Sequence, residues 1–326
     1  MRPSAAFRPE DAAAAGLSAF AADVRDGLGG SPRRLPPVWF YDAVGSALFD
    51  VICRLPWYPI TRAEAWLLDR HAPDVDAALR HVTEIIELGP GSGDKLVRLV
   101  TPFARRSKAV TAHLVDVSAE ALDAAEHAVS AVTGVRVIRH HASFEQGLRA
   151  AAAAPRRGGR LVAFLGSNIG NFEPGAADAF LSAVAASLGP GDGLLLGADL
   201  VKPEAALQLA YDDPLGVTAA FNRNLLVRMN RELGANFDLD RFAHQARWNR
   251  SASRVEMHLV STAAQRVEIP AAGLALDMAP GESIWTESSH KYTPEAVVQM
   301  GRRAGLHAGA QWLHPDAGFA LTLFTR

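Results

Sequence analysis

The sequence has 326 residues, of which 49% are hydrophobic and 21% are charged, and its formal net charge at pH 7 is −2. This composition is typical of a globular protein with a large core. The slightly negative net charge gives no reason to expect binding to nucleic acid or to an anionic membrane. No apolar stretch is long enough for an ordinary transmembrane helix. Residues 1–25 lack a signal-like apolar core and Cys53 is the single cysteine, so we expect a cytoplasmic location.

Helical segments separated by glycine and proline are predicted for the first part of the chain. Residues 10–26 have helical periodicity and stop at a glycine-rich stretch. A second helix is predicted from about residue 42 to 55, where Pro56 interrupts the chain. Thr61 is the predicted N-cap of a third helix, and Glu64 completes a capping box with it.

A regular alternation of strands and helices occupies the middle of the chain. The predicted strands are 82–88, 110–116, 135–139, 160–165 and 192–199. This alternation predicts an α/β fold with a parallel sheet and helices on both faces. Right-handed crossovers place the carboxyl ends of the strands on one edge, which is where such sheets bind ligands.

The pattern changes after Leu200, where a helical stretch is followed by strand-like residues up to about 288. A helix and two late strands then resume the strand–helix pattern of the middle of the chain. We therefore interpret the chain as a sheet domain interrupted by an insertion. The predicted second, α+β lobe comprises residues 1–60 and 200–286, and the predicted sheet domain comprises residues 61–199 and 287–326.

The glycine turn at residues 85–95 carries most of the functional information. It reads Ile-Ile-Glu-Leu-Gly-Pro-Gly-Ser-Gly-Asp-Lys, a strand that leads into a turn and then a predicted helix. Glycines let the backbone pass close to a ligand, and the first amides of the helix face the same space. Asp116 ends the next strand and is placed to accept hydrogen bonds from two ribose hydroxyls. The turn therefore predicts an adenosine-containing cofactor.

The spacing of the turn favours one cofactor over another. It is G-x-G-x-G rather than the G-x-G-x-x-G of the dinucleotide fingerprint. The two late strands, the last of which we expect to be antiparallel, also favour a methyltransferase that uses S-adenosylmethionine. A nicotinamide cofactor and a non-catalytic binding fold stay open at this point.

Further segments closely resemble the histidine-specific Nα-methyltransferases of ergothioneine biosynthesis, from about residue 31 to the end of the chain. They are Trp39-Phe40-Tyr41-Asp42, Arg54-Leu55-Pro56-Trp57-Tyr58, Phe164-Leu165-Gly166-Ser167-Asn168, Ala210-Tyr211-Asp212-Asp213, Asn230-Arg231-Glu232-Leu233 and Glu256-Met257. The resemblance implies a Rossmann-like class I methyltransferase domain with a substrate-binding lobe. It also implies trimethylation of the α-amine of L-histidine to hercynine by a monomeric enzyme.

The resemblance also implies which residues bind the cofactor. They are Tyr41, Phe49, Gly89, Lys95, Asp116, Ser143, Phe144, Gly166 and Ser167. Lys95 would neutralise the methionine carboxylate as a point charge. Ser143 departs from the family, in which an aspartate accepts a hydrogen bond from the adenine amino group. A serine lacks that charge assistance, so we expect weaker cofactor binding.

The implied substrate-binding residues are Tyr58, Asn171, Tyr211, Met257, Glu287 and Ser289. Glu287 and Ser289 are two positions apart on an extended segment, so both side chains point to one face and could bracket the imidazole. For catalysis we hypothesise that the amine loses its proton to water, while Tyr41, Tyr58 or Asn171 orients its lone pair. The alternatives are an N-methyltransferase of another aromatic amino acid, such as tryptophan, and a non-catalytic cofactor-binding protein. No metal-ligand spacing is present.

Overall fold

The computed structural model describes residues 9–107 and 109–326. Within these ranges, no helix combines the length and the apolar character that crossing a membrane requires. The helices and strands in chain order are α1 Pro9–Gly29, α2 Ala43–Ile52, α3 Ile60–Ala78, β1 Val82–Leu88, α4 Asp94–Arg106, β2 Val110–Asp116, α5 Ala119–Ser130, β3 Val135–His141, α6 Phe144–Ala153, β4 Gly159–Phe164, α7 Pro174–Ser187, β5 Gly193–Asp199, α8 Glu204–Tyr211, α9 Val217–Leu233, β6 Phe242–Asn249, β7 Arg254–Ser261, β8 Gln265–Ile269, β9 Leu274–Met278, β10 Ser283–His290, α10 Pro294–Arg303, β11 His307–Leu313 and β12 Phe319–Thr325.

The chain divides into two compact units, and each unit is assembled from three segments. The first unit comprises the described residues up to Leu48 together with Asp212–Arg247 and Glu256–Glu287. The second unit comprises Phe49–Tyr211, Trp248–Val255 and Ser288–Arg326. The sequence predicts domain boundaries near residues 60, 200 and 286, and the assignment of substrate binding to one lobe stays a prediction.

The second unit contains a seven-stranded sheet with the order β3-β2-β1-β4-β5-β12-β11. Strands β1 to β5 are parallel to their neighbours, whereas β12 is antiparallel to both β5 and β11. The prediction of a parallel sheet that ends in an antiparallel strand is confirmed. The central strands β1, β4 and β5 are buried almost throughout, as expected for strands covered on both faces.

Helices cover both faces of this sheet, as the alternation of elements predicts. Helices α3, α4 and α5 pack on one face, and α6, α7 and α10 pack on the other. Buried residues on the second face include Phe164 of β4, Leu196 of β5 and Phe180 of α7. Burial of this apolar surface stabilises the unit and holds the carboxyl ends of β1 to β5 on a common edge.

The first unit is an α+β arrangement built on α1, α9 and short strands. Its strands include the β8–β9 hairpin and parts of a sheet ordered β10-β7-β6. Stacked aromatic side chains pack its interior. Phe40 stacks on Phe221 with ring centroids 4.5 Å apart, and Phe20 stacks on Trp39 at the same distance. The Arg228 guanidinium lies over both Phe20 and Trp39, at 5.0 and 5.3 Å from the ring centroids.

An ion pair is buried near the start of β1 and β4 in the second unit. Arg160 is 1% exposed, and its Nη2 and Nε donate to Glu84 Oε2 at 2.9 and 3.2 Å. The second Glu84 oxygen accepts from the Arg157 amide. A charge that is buried and paired in this way becomes costly when its partner is removed.

We therefore expect Glu84→Ala to lower the free energy of unfolding by about 3–5 kcal/mol, because it leaves the Arg160 charge buried and unpaired. The control is Glu126→Ala, which removes one carboxylate from the exposed pair with Arg139 and should cost less than about 1 kcal/mol. Urea denaturation of both variants provides the comparison. Equal losses in the two variants would contradict this account of the ion pair.

Candidate active site

The glycine turn after β1 has the backbone conformation that its sequence predicts. Gly89, Gly91 and Gly93 have φ angles of +79°, +55° and +81°, values that residues with a Cβ rarely adopt. A Cβ on Gly93 would lie 2.8 Å from the Cα of Ala125, so the turn also packs closely against α5. The turn leads directly into α4, whose first amides have no partners within the helix. This combination forms a side-chain-free surface suited to a polar ligand.

Asp116, the last residue of β2, lies beside this turn. Its carboxylate accepts a hydrogen bond from the Ser118 amide at 2.9 Å and another from the backbone of Gly91. Burial raises the pKa of Asp116, and the backbone hydrogen bonds oppose that effect. The structure therefore brings the predicted ribose-binding carboxylate next to the glycine turn.

Glu87, one residue before the end of β1, is fully buried. Neither of its carboxylate oxygens has a hydrogen-bond partner among the described residues. Burial raises the pKa of Glu87 from 4.5 to about 8, and Lys95 opposes the shift. Native proteins rarely leave a buried carboxyl group without a partner, so this residue points to a ligand at the edge of the sheet.

Lys95, in the first turn of α4, is paired with Glu64. Its Nζ donates to Glu64 Oε2 at 2.9 Å, and the Gly166 amide donates to the same carboxylate at 2.8 Å. The predicted capping box with Thr61 is wrong, because α3 begins at Ile60 and Glu64 points into the core instead. Burial opposes the charge on Lys95, but Glu64 raises its pKa, so the ammonium ion is retained at the edge of the sheet.

The turn after β4 contains two successive residues in the left-handed region, Gly166 with φ +74° and Ser167 with φ +60°. This conformation is strained for a serine. A hydrogen bond helps to hold it, because Ser167 Oγ accepts from the Asp199 amide at the end of β5, at 2.9 Å. The backbone of this turn is thus fixed at the same edge as the glycine turn.

Ser143 and Phe144 lie where β3 leads into α6. Ser143 caps this helix, since its Oγ accepts from the Gln146 amide at 3.3 Å and donates to Glu145 at 3.1 Å. Phe144 packs edge-on against Phe164 with ring centroids 5.3 Å apart. The Ser143 hydroxyl is therefore engaged within its own helix, which leaves it less available as an acceptor for an adenine amino group.

A second group of predicted site residues is contiguous within the second unit. The Tyr58 ring lies edge-on to Phe49 and Tyr211, with centroids 6.4 and 6.2 Å away. Tyr211 Oη and Ser289 Oγ are hydrogen-bonded at 2.8 Å. Tyr58, Tyr211 and Ser289 are all buried. Asn171 ends the short 3-10 helix Asn168–Asn171, which follows β4.

Two lysines, the buried Lys291 and the partly buried Lys202, complete this group, and the sequence did not predict either. Lys291 Nζ donates to Tyr211 Oη at 2.7 Å, to Ser289 Oγ at 2.9 Å and to Asp199 Oδ2 at 2.9 Å. Lys202 Nζ donates to the other Asp199 oxygen at 2.6 Å. One signal was visible in the sequence, because Lys291 follows Ser289 at the same i, i+2 spacing that links Ser289 to Glu287.

The remaining predicted residues belong to the first unit. Tyr41 follows the 3-10 helix Pro37–Phe40, and its ring lies edge-on to Phe221 with a centroid distance of 6.0 Å. Met257 on β7 is buried, and its carbonyl accepts from Thr286 Oγ1 at 3.0 Å. Glu287 on β10 is partly buried. Their roles toward a ligand stay predictions.

A histidine pair at β2 and β3 does not form a metal site. His113 Nδ1 and His140 Nε2 are 3.0 Å apart, and burial lowers the pKa of His113 to about 4. Across residues 9–107 and 109–326, no group of three or more histidine, cysteine, aspartate or glutamate side chains could hold a metal ion.

Comparison with known proteins gives consistent matches over most of the chain. A family model described as a SAM-dependent, histidine-specific methyltransferase matches residues 20–326. The histidine N-alpha-methyltransferase of Mycobacterium tuberculosis is 45% identical over 95% of both chains, and that of Mycolicibacterium smegmatis is 45% identical over 97% of both. The ergothioneine biosynthesis protein 1 of Neurospora crassa is 27% identical over 87% of this chain and 32% of its own length.

The buried carboxyl group of Glu87 generates a prediction about pH. Below pH 4.5 it is protonated in both the folded and unfolded states, and between 4.5 and about 8 only the folded state keeps the proton. The free energy of unfolding should therefore fall as pH rises through this window, by at most about 1.4 kcal/mol per pH unit. Glu87→Gln should remove this dependence and be more stable than the parent at pH 8.

Urea unfolding of the ligand-free protein at several pH values between 5 and 9 measures the effect. The control is Glu295→Gln, which changes an exposed glutamate at the start of α10 and should leave the pH dependence of stability as it is. An identical pH slope in the parent and in Glu87→Gln would show that Glu87 is already ionised in the folded protein.

Proposed function

The chain belongs to the family of SAM-dependent, histidine-specific methyltransferases, and we propose that it methylates the α-amine of L-histidine. The product would be hercynine, formed by three successive methyl transfers in the first step of ergothioneine biosynthesis. The observation that carries this proposal is the 45% identity to two histidine N-alpha-methyltransferases over nearly the full length. The edge of the sheet supports it, because a cofactor-type glycine turn and the Tyr58–Tyr211–Ser289 group lie in the same unit.

The residues at this edge fit S-adenosylmethionine. The glycine turn gives a ligand close access to the backbone at the start of α4, and Asp116 supplies an acceptor for the ribose hydroxyls. Glu87 offers a buried carboxyl group without a protein partner, which suits the cationic end of the methionine moiety. Lys95 would interact with the methionine carboxylate while it stays paired to Glu64. We also assign Gly166, Ser167 and Phe144, together with Tyr41, Phe49 and Ser143, to cofactor binding.

S-adenosylmethionine supplies a methyl group on a sulfonium, which is a good leaving group. The residues of the chain then have mainly to bind and orient the amine, and such positioning accounts for much of the rate enhancement in bimolecular reactions. The α-amine attacks only when it is neutral, although it is largely protonated at pH 7. We propose that water accepts its proton and that Tyr41, Tyr58 or Asn171 orients the lone pair, because none of these side chains is a strong base.

The substrate is recognised through its two polar ends. Tyr58, Asn171 and Tyr211 would donate hydrogen bonds to the carboxylate, which fixes a pivot for repeated methylation. Glu287 and Ser289 would bind the imidazole, and Met257 would line its apolar face. A site that pairs with the imidazole N–H discriminates against an apolar side chain, because such a side chain donates no hydrogen bond to the Glu287 carboxylate.

The enzyme is further proposed to act as a monomer in the cytoplasm, without nucleic acid or membrane partners. The net charge of −2 and the single cysteine support this assignment. A solution mass well above 34.8 kDa in light scattering would contradict the monomer.

Mass spectrometry of reaction products tests the proposed activity. The purified protein is incubated with S-adenosylmethionine and, separately, with L-histidine, L-tryptophan or L-tyrosine. We expect a gain of three methyl groups on histidine and none on the other two amino acids. Methylated tryptophan without methylated histidine would favour an indole-type N-methyltransferase. Cofactor binding without any product would favour a non-catalytic binding role.

Substitution of Glu287 tests the selectivity. Glu287→Ala should lower kcat/KM for L-histidine about 10- to 100-fold, because the imidazole N–H loses its acceptor. The ratio of kcat/KM for L-histidine to kcat/KM for L-tryptophan should fall in the same variant. Glu268→Ala is the matched control, since it removes an exposed glutamate on β8 of the same unit. Histidine turnover that survives Glu287→Ala nearly intact would overturn the assignment of this residue.

A further inference from the structure

Lys291 is buried and uses all of its hydrogen-bond donors inside the second unit. It is 2% exposed, and its three N–H groups are matched by Tyr211 Oη, Ser289 Oγ and Asp199 Oδ2, all within 2.9 Å. An ammonium group has three donors and no acceptor. Lys291 is therefore saturated by protein atoms, and its effect on a substrate must pass through the groups that it holds.

The first effect is on the direction of the two hydroxyl groups. Because Lys291 can only donate, the oxygens of Tyr211 and Ser289 both accept from it, and their hydrogens must point elsewhere. One of these hydrogens makes the 2.8 Å bond between the two hydroxyls. The other is directed away from both the ammonium and its neighbour. Lys291 thus orients the two hydroxyls so that one hydrogen of the pair points out of the cluster.

The second effect is on charge. Asp199 is 1% exposed and accepts from Lys291 at one oxygen and from Lys202 at the other. Two ammonium ions on one carboxylate leave a net charge of +1 in a cluster of which Asp199 and Lys291 are buried and Lys202 is partly buried. Burial lowers the pKa of Lys291, but the interactions with Asp199 and Tyr211 together outweigh it and raise the pKa overall. A charge in such surroundings acts strongly on a neighbouring anion, because solvent screens it little.

The cluster also connects the substrate residues to the cofactor residues. The backbone amide of Asp199 donates to Ser167 Oγ at 2.9 Å, in the strained turn after β4. A single residue at the end of β5 therefore holds Lys291 through its side chain and Ser167 through its backbone. A shift of Lys291 would act directly on Tyr211 and Ser289, whereas it would act on that turn only through Asp199.

We propose that Lys291 is a positioning residue for the substrate amino acid. It orders the hydroxyls of Tyr211 and Ser289 so that one of them donates outside the cluster, and with Asp199 and Lys202 it supplies a largely buried net positive charge that stabilises the substrate carboxylate without touching it. This inference rests on the proposed function, because it takes L-histidine as the ligand. It assigns Lys291 and Lys202 roles that differ, since only Lys291 contacts the hydroxyls.

The test compares Lys291→Met with Lys202→Met, which removes the other charge of the cluster and leaves the hydroxyl contacts in place. Calorimetric titration in the presence of S-adenosylhomocysteine gives Kd values for L-histidine and for L-histidinamide, which lacks the carboxylate charge. The parent should prefer L-histidine by about tenfold or more. Both variants should lose most of this preference, and Lys291→Met should in addition weaken binding of both ligands about tenfold.

Several outcomes distinguish the possible failures. A parent protein that does not bind L-histidine would overturn the proposed function itself. If the parent binds it and Lys291→Met keeps both the affinity and the preference, the role of Lys291 is wrong. A loss of S-adenosylhomocysteine affinity and thermal stability in proportion to the loss of histidine affinity would indicate a merely structural role.

If Lys291→Met fails to fold, Lys202→Met and one further variant, Tyr211→Phe, still test the inference. Lys202→Met alone tests the charge, and an unchanged ratio of the two Kd values would overturn that part. Tyr211→Phe keeps the ring and removes the hydroxyl that Lys291 orders. It should weaken L-histidine binding about tenfold while S-adenosylhomocysteine binding stays as in the parent.

Discussion

The buried carboxylate of Glu64 is the interaction on which the arrangement of the candidate site depends. It joins helix α3 to Lys95 on α4 and to the Gly166 amide after β4. The residues that meet here are far apart in sequence, since Glu64 and Gly166 are separated by 102 positions. The carboxylate also explains a glycine in the middle of β5, because a Cβ at Gly197 would overlap Glu64 Oε1. Around this contact, the turns after β1 and β4 are held in conformations that would be costly in isolation.

Charge is distributed unevenly along the carboxyl edge of the sheet. The ends of β1 and β2 carry the carboxyl groups of Asp116 and of Glu87, which burial keeps protonated at pH 7 in the ligand-free protein, with Lys95 as a nearby cation. The end of β5 carries two ammonium ions on one carboxylate, that of Asp199. One side of the edge therefore suits the cationic part of a ligand, and the other suits an anionic part. A cofactor with a sulfonium and an amino-acid substrate with a carboxylate match this division without any metal-ligand cluster among the described residues.

Local patterns predicted the elements well, because periodicity and turn chemistry are properties of neighbouring residues. Strands β1 and β2 have the predicted bounds, and the glycine turn has the conformation that its composition implies. The predicted capping box is wrong because Glu64 gains more from the partly buried Lys95 ammonium group and a backbone amide than from the start of its own helix. The Lys291 cluster was missed because its partners come from β5, α8 and the end of β10, a meeting that no spacing in the sequence reports.

The two units alternate along the chain, and this has a consequence for how the protein could change over time. The backbone passes from one unit to the other at five points, since each unit consists of three segments. No single cut separates the chain into one complete unit and the other. A single genetic crossover therefore cannot replace either unit intact, so exchange of a whole module would need several coordinated junctions. Divergence of substrate preference on this scaffold is more accessible through individual side chains than through domain shuffling.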